Sequence, residues 1–434
     1  MELQTVPFDV ENIFAKVKKK QALSKLRGAD SPLYKAVWPM TCVVRVFGFA
    51  PYSFSQDRLV PSSLIFTVIA TIFYSYTLFQ VVIRFIGVKR ETSTLGGTEN
   101  TKVIINYSVV LYELILVTFT RSSFVKIWNA LQDYDDYVRR LGYPRKEMRT
   151  AIVAWVLVIV NTLIWTAINR FGMYAFMESW TYNMGYMLPY VGTSVAIYKF
   201  MAIAIFLGQR FHHLNMIAIK NLPFSPTVGK TFVSKQIILN LHNDLMIAGE
   251  SLESLYSWSL LFWLGSLSLH TISNIYFIIE WMIVKEWKTE SWPLIGCLCL
   301  WLVAFIVQMI LLHIACDFAS SQANCIGPIM IEWQVRLMKR FEVDEGSVEL
   351  SLQFLNRKLK FSAGGCFYVN LPLLRSVRNS YNIYFNYTFL GLCKYLNYQI
   401  ASSNPLITCP SKLSLGISLT PRKIVPSYRD PVEG

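Results

Sequence analysis

Residues 294–315 read LIGCLCLWLVAFIVQMILLHIA, and this stretch decides the class of fold. It contains no Asp, Glu, Lys or Arg, and its length matches the roughly 20 apolar residues an α-helix needs to cross a bilayer. A helix that is apolar on every side belongs in lipid or in a large core, not on the surface of a soluble domain. Five further segments repeat the pattern: residues 64–86, 103–120, 151–168, 186–207 and 255–279. The segment 103–120 is the weakest, because Glu113 interrupts it. The chain of 434 residues is 53% hydrophobic and 16% charged, where soluble domains carry about 25% charge. These figures argue against a soluble enzyme, a disordered chain and a coiled coil. They predict an all-α polytopic membrane protein with six transmembrane helices.

The net charge is +14, from 41 Lys+Arg against 27 Asp+Glu. The basic residues sit in the connections between apolar segments. They therefore read as a topology signal, and no nucleic-acid surface is expected. Counted on alternate sides of the six spans, Lys+Arg number 26 on one side and 6 on the other, with Lys102 among the 6. This asymmetry predicts a cytoplasmic N-terminus. Residues 1–63 form a cytoplasmic N-terminal region, 64–376 the transmembrane domain and 377–434 a divergent tail. The basic run at 16–20 is followed by polar sequence, not by a cleavable apolar segment, so the first span is expected to direct the chain to the cell membrane. Ile237, Leu241, Leu245, Ala248 and Leu252 recur at helical spacing ahead of the fifth span. The fourth and fifth spans are thus expected to continue below the membrane by about 15 residues each, or about 22 Å.

No catalytic constellation or cofactor motif is found, so the chain does not read as an enzyme. The eight cysteines have neither zinc-ligand nor disulfide-framework spacing. Adjacent His212 and His213 point to different helix faces and make a poor metal pair. His313 and Asp317 lie four apart on one face, as a buried polar contact or as part of a water-filled path. Polar groups within spans are more informative, because lipid cannot satisfy them. Asn161, Trp165, Tyr190, Thr193, Ser194, His270 and Asn274 fall in the outer halves of their spans, with His270 and Asn274 one turn apart. Such residues either line an outward-opening pocket for a small polar or aromatic ligand, or hydrogen-bond helix to helix.

Several motifs, in order along the chain, resemble the insect gustatory receptor family. Trp38-Pro39, with Arg45, Gly48 and Pro51, is similar to the family's approach to its first span. Arg210-Phe211 followed by Leu214-Asn215 resembles its Arg-Phe…Leu-Asn element. Leu241-His242 with Leu245, and Cys316-Asp317 with Ala323-Asn324, resemble the segments flanking its last spans. Phe361-Ser362-Ala363-Gly364-Gly365-Cys366-Phe367, with Leu373-Leu374, resembles its Phe-x-Ala-x-Gly-Phe-Phe…Leu-Leu run. The resemblance covers roughly residues 35–376. It implies a ligand-gated, non-selective cation channel that assembles as a tetramer, alone or with other gustatory receptor subunits. Each subunit would have seven spans, with its last helix lining the pore. The ligand would be a small tastant such as a sugar or a bitter compound, bound in the outer half of the bundle.

The chain departs from the family after Ser376. There the family carries a seventh span with Thr-Tyr, an apolar run and Gln-Phe. Here Arg375 to Asn397 hold Arg375, Arg378 and Lys394 and only a short apolar stretch, too short to span. From Asn397 the tail is rich in Pro and Ser and reads as disordered. A different terminal exon, a retained intron or a shifted frame would produce this ending. The expectation is a taste receptor subunit with its pore helix absent or altered, hence a non-conducting isoform. The alternatives are a six-span membrane transporter or a regulatory membrane subunit. The sequon at Asn386 tests this ending, since glycosylation there would rule out six spans.

Overall fold

A computed structural model of the chain describes residues 32–55, 58–87, 93–176, 180–222, 233–284, 292–338 and 357–374. The divergent tail, with Asn386 and the expected loss of a seventh span, lies outside them. A first helix α1 (Pro32–Val46) leads into an antiparallel hairpin of β1 (Tyr52–Ser55) and β2 (Arg58–Pro61). Six long helices follow: α2 (Ile65–Gly87), α3 (Ser93–Arg140), α4 (Met148–Phe176), α5 (Trp180–Lys220), α6 (Lys235–Val284) and α7 (Trp292–Asn324). Helix α8 (Ile326–Met338) and a small hairpin of β3 (Ser362–Ala363) and β4 (Phe367–Tyr368) come next. Among the described residues, α2 to α7 are the six helices long and apolar enough to cross a membrane. The protein is a multi-pass helical membrane protein. The end of the bundle where α3, α5 and α7 begin is called the upper end, and the opposite end the lower.

The helices outrun a bilayer. At 1.5 Å per residue, the 50 residues of α6 extend about 75 Å, against a hydrocarbon thickness of about 30 Å. The extension expected for the fourth and fifth spans is present in α5 and α6. It is shared by α3, with 48 residues. Glu113 does not interrupt α3, because its side chain turns into the bundle and is buried. Helix α5 is central: 89% of its apolar stretch is buried, against 17% for α2. Ile65, Phe66, Ile69, Ile72 and Phe73 of α2 instead present a peripheral apolar face suited to lipid. Gly208 lets α5 approach α7, since a Cβ there would fall 2.6 Å from the Phe318 ring.

Polar residues on α5 tie the surrounding elements to it. The Lys199 ammonium donates to the Phe49 carbonyl at 3.0 Å. It also sits 4.3 Å from the Phe124 ring centre. The segment after α1 is thereby drawn against the central helix. Gly48 makes the turn possible: its φ is +83°, and a Cβ would lie 2.5 Å from that of Ala70. Deeper at the lower end, the fully buried Arg210 donates to Asp135 of α3 at 2.5 Å and to the Phe206 carbonyl at 2.9 Å. Arg145, in the connection after α3, lies 3.6 Å from the same carboxylate and donates to Gln209 at 3.2 Å. Burial, with the nearby Arg210 charge, holds the Arg145 guanidinium below its ordinary value, while Asp135 and Glu147 oppose that shift.

The lower end also gathers sequence motifs that are far apart in the chain. His242 of α6 bonds the Ala323 carbonyl at 2.9 Å. Asn324 donates to the Leu359 carbonyl at 3.1 Å and accepts from its N–H at 3.0 Å. Asn215 donates to the Gln322 carbonyl at 2.8 Å. The β3–β4 hairpin turns through Gly364 and Gly365, both at positive φ, and the Gly364 N–H donates to Ser257 of α6. His213 meets the Tyr134 hydroxyl and His212 meets Gln322. The expected pairing of His313 with Asp317 does not form. His313 Nδ1 donates back to the Met309 carbonyl at 2.7 Å, while Asp317 accepts from the Leu371 N–H at 3.4 Å. A carbonyl one turn back on its own helix takes the Nδ1 proton, while Nε2 is buried without a partner among the described residues.

Arg210→Ala would leave Asp135 buried beside a single, more distant cation. The expected loss is about 3–5 kcal/mol of stability. Arg58→Ala, which breaks an exposed ion pair with Asp133, is expected to cost less than about 1 kcal/mol. Thermal unfolding of the detergent-solubilised protein compares the two.

Candidate ligand-binding site

The upper half of the bundle brings together aromatic rings from four helices. Tyr190 of α5 is the hub. Its ring centre lies 4.5 Å from Trp301 and 6.0 Å from Phe305 of α7, 6.4 Å from Trp165 of α4 and 5.1 Å from His270 of α6. His270 stacks on Phe305 at 5.0 Å, and Trp165 meets Trp301 edge-on at 5.3 Å. Ring pairs in this range contribute about 0.5–1.5 kcal/mol each beyond burial.

A proline shapes the approach to this hub. Pro189 lies inside α5, not at its edge. With no N–H, it leaves the Gly185 carbonyl, four residues earlier, without its helical donor. Tyr107 of α3 supplies that donor, its hydroxyl reaching the Gly185 carbonyl at 2.7 Å. The irregular turn of α5 beside Tyr190 is thereby held by a neighbouring helix.

All seven residues expected at the site are buried, and most are joined. Asn161 accepts from the Trp165 indole at 2.9 Å and from the Ser194 hydroxyl at 2.6 Å. That triad locks α4 to α5, so Asn161 and Ser194 have a helix-to-helix role. Trp165, Tyr190 and His270 belong to the ring cluster. Asn274, one turn above His270, accepts from the Lys102 ammonium at 3.5 Å. Thr193 lies one turn from Tyr190, and its hydroxyl has no partner among the described residues.

Sequence reasoning missed Trp301, Phe305, Lys102 and Asn106. Trp301 and Phe305 fall four apart within residues 294–315 and read simply as apolar. Their shared helix face, with Tyr186 and Tyr190 four apart on α5, was the available signal. Lys102 was expected in a connection, where it counted as a loop charge. It instead lies inside α3, 6% exposed, with its ammonium 4.7 Å from the Phe277 ring centre. Between the helices its ammonium is held by the Phe277 ring face and the Asn274 amide oxygen.

Several nitrogen and oxygen atoms at this end are buried without a partner. They include Asn106 Nδ2, Thr193 Oγ1, His270 Nε2 and Asn274 Nδ2. Atoms of this kind usually find a partner in protein, water or ligand. An aromatic enclosure with a few convergent polar groups is the ordinary composition of a small-molecule site.

Comparison with known proteins finds one family and a shared fold. The family model described as 7tm chemosensory receptor matches residues 39–386. The solved structure of the insect olfactory receptor OR5 from Machilis hrabei is similar in fold, with a TM-score of 0.60 at 13% identity. The match covers 82% of this chain and 98% of that one. The same receptor in complex with eugenol matches with a TM-score of 0.59 at 14% identity, over 84% and 98% of the two chains. No curated protein matches the sequence.

Tyr107→Phe removes the donor to Gly185 while keeping the ring. The expected cost is about 1–3 kcal/mol for the unsatisfied carbonyl. Melting of the solubilised variant measures it. An unchanged melting temperature would mean that water or a local backbone shift replaces the hydroxyl.

Proposed function

The chain belongs to the 7tm chemosensory receptor family, and from that premise we propose that it is a gustatory receptor subunit of a ligand-gated, non-selective cation channel. Its stimulus is a small tastant, with bitter aromatic compounds the best chemical fit. The observation that carries this reading is the Tyr190–Trp301–Phe305–Trp165 cluster, set beside buried polar atoms that lack partners. The similar olfactory receptor was solved with eugenol, a small aromatic molecule. The rings here suit a ligand of comparable size. The motif order from Trp38 to Leu374 supports the gustatory assignment over the olfactory one.

The charge asymmetry supports an N-terminus in the cytoplasm, which puts the upper end outside the cell, open to tastants. The departure from the family's seventh-span signature after Ser376 supports a subunit that binds ligand but needs partners for conduction. In this reading it assembles as a tetramer with gustatory subunits whose last helices line the pore.

The test is calcium imaging with whole-cell recording in cultured cells, using a panel of bitter aromatics. Ligand-evoked current is expected when the chain is co-expressed with a full-length gustatory subunit, and none is expected from the chain alone. Tyr190→Ala and Trp301→Ala should each shift the response at least about tenfold to higher ligand concentration, as expected for loss of about 1.4 kcal/mol or more of contact. Robust current from the chain alone would refute the non-conducting reading. Responses unaffected by both variants would refute the site.

A further inference from the structure

At the top of the site, α3 and α6 meet along a polar seam. Lys102 and Asn106 lie one turn apart on α3. Ser266, His270 and Asn274 lie at successive turns on α6. Ser266 donates to Asn106 Oδ1 at 3.1 Å, and Lys102 donates to Asn274 Oδ1 at 3.5 Å. Lys102, Asn106, His270 and Asn274 are each at least nine-tenths buried.

The seam is unbalanced in its hydrogen bonding. Lysine can only donate, so its bond fixes the Asn274 amide with the oxygen toward Lys102 and the NH2 directed elsewhere. The Asn106 oxygen is likewise taken by Ser266. What remains without a hydrogen-bond partner among the described residues is Asn106 Nδ2, Asn274 Nδ2 and His270 Nε2. Two of these three atoms can only donate. The ammonium adds further donor capacity, since it has three protons and, among the described residues, one hydrogen bond. Among the described residues, no Asp or Glu forms an ion pair with Lys102. A buried cation without a counter-charge is costly, by several kcal/mol. Groups that only donate are complemented by groups that only accept, and an ionised carboxylate is acceptor-only.

Apolar surface adjoins the donors. His270 lies 5.1 Å from the Tyr190 ring and stacks on Phe305, which lies 5.4 Å from Trp301. One molecule reaching from the seam to the rings must therefore carry an acceptor group at one end and an aromatic or compact apolar body at the other.

We propose that the ligand of this site is a small aromatic acid, its carboxylate received by Lys102, Asn106, His270 and Asn274 and its ring by Tyr190, Trp301 and Phe305. The inference rests on the upper cluster being the ligand site, and it names the chemical class within that reading. Lys102 is the specificity residue: it selects the charged acid over a neutral isostere of the same shape.

The experiment uses the full chain, purified in detergent, with phenylacetate and its neutral isostere phenylacetamide as probes. Affinity is read from the concentration dependence of the ligand-induced rise in melting temperature. Phenylacetate is expected to bind at least about tenfold more tightly, as a charge-assisted hydrogen bond allows. Lys102→Met should abolish that preference while sparing phenylacetamide, and Lys102→Arg should retain it. If the wild type binds both probes equally and Trp301→Ala weakens both, the site stands and the acid assignment falls. If the preference survives Lys102→Met, Lys102 is structural and the assignment falls as well. If neither probe stabilises the wild type, the acid assignment is overturned. Trp301→Ala then decides the site by itself, through its effect on responses to the bitter panel.

Discussion

Helix α5 has almost no lipid-facing surface, so each polar group along it must find its partner inside the protein. Reading down the helix, the partners come from three elements: α3 twice, α4, and the segment after α1. Tyr107 of α3 answers the carbonyl freed by Pro189. Asn161 of α4 accepts from Ser194. The backbone at Phe49 accepts from Lys199, and Asp135 of α3 accepts from Arg210. Lipid tails are as apolar as leucine, so burying apolar surface does not by itself choose which helices meet. These polar contacts make the choice, and they set the rotation of each neighbour about α5.

That constraint divides the bundle. At the lower end the contacts run to charged groups and to backbone carbonyls. Arg210, Asp135 and Arg145 form a buried charged group, and the motif residues His242, Asn324 and Asn215 lock α5, α6 and α7 together through backbone carbonyls. At the upper end the polar groups lie among aromatic rings. Asn106, Thr193, His270 and Asn274 keep polar atoms without partners beside a cluster of rings. The lower end is thus a frame of charge and backbone contacts, and the upper end sets polar groups against rings.

The division also explains which motifs were easiest to recognise. Arg210-Phe211, Leu241-His242, Asn324 and the Phe361–Phe367 run all belong to the frame, where a specific backbone carbonyl or a positive-φ turn demands a specific residue. Gly364 and Gly365 are needed because the hairpin bends through φ values that other residues resist. The upper cluster has no such demand. Its rings need size and an apolar body, which many side chains supply, so Trp301 and Phe305 were indistinguishable from the apolar run around them.

Length, apolarity and the placement of charge determined the six spans and the helical class, because a bilayer imposes these on any chain that crosses it, and helical spacing from Ile237 to Leu252 marked the extension of α6. Asn161, Trp165, Tyr190, Thr193, Ser194, His270 and Asn274 stood out for the same reason: polarity in lipid is costly and therefore visible. Which of them pair was decided only by the packing of helices far apart in sequence. Asn161 went to Trp165 and Ser194, while Asn274 went to Lys102, whose charge the sequence assigned to a loop. His313 turned to its own helix and left Asp317 to the Leu371 amide. Periodicity tells a side chain's face along one helix. Which neighbour occupies that face depends on how six helices rotate around α5, and no single helix encodes that.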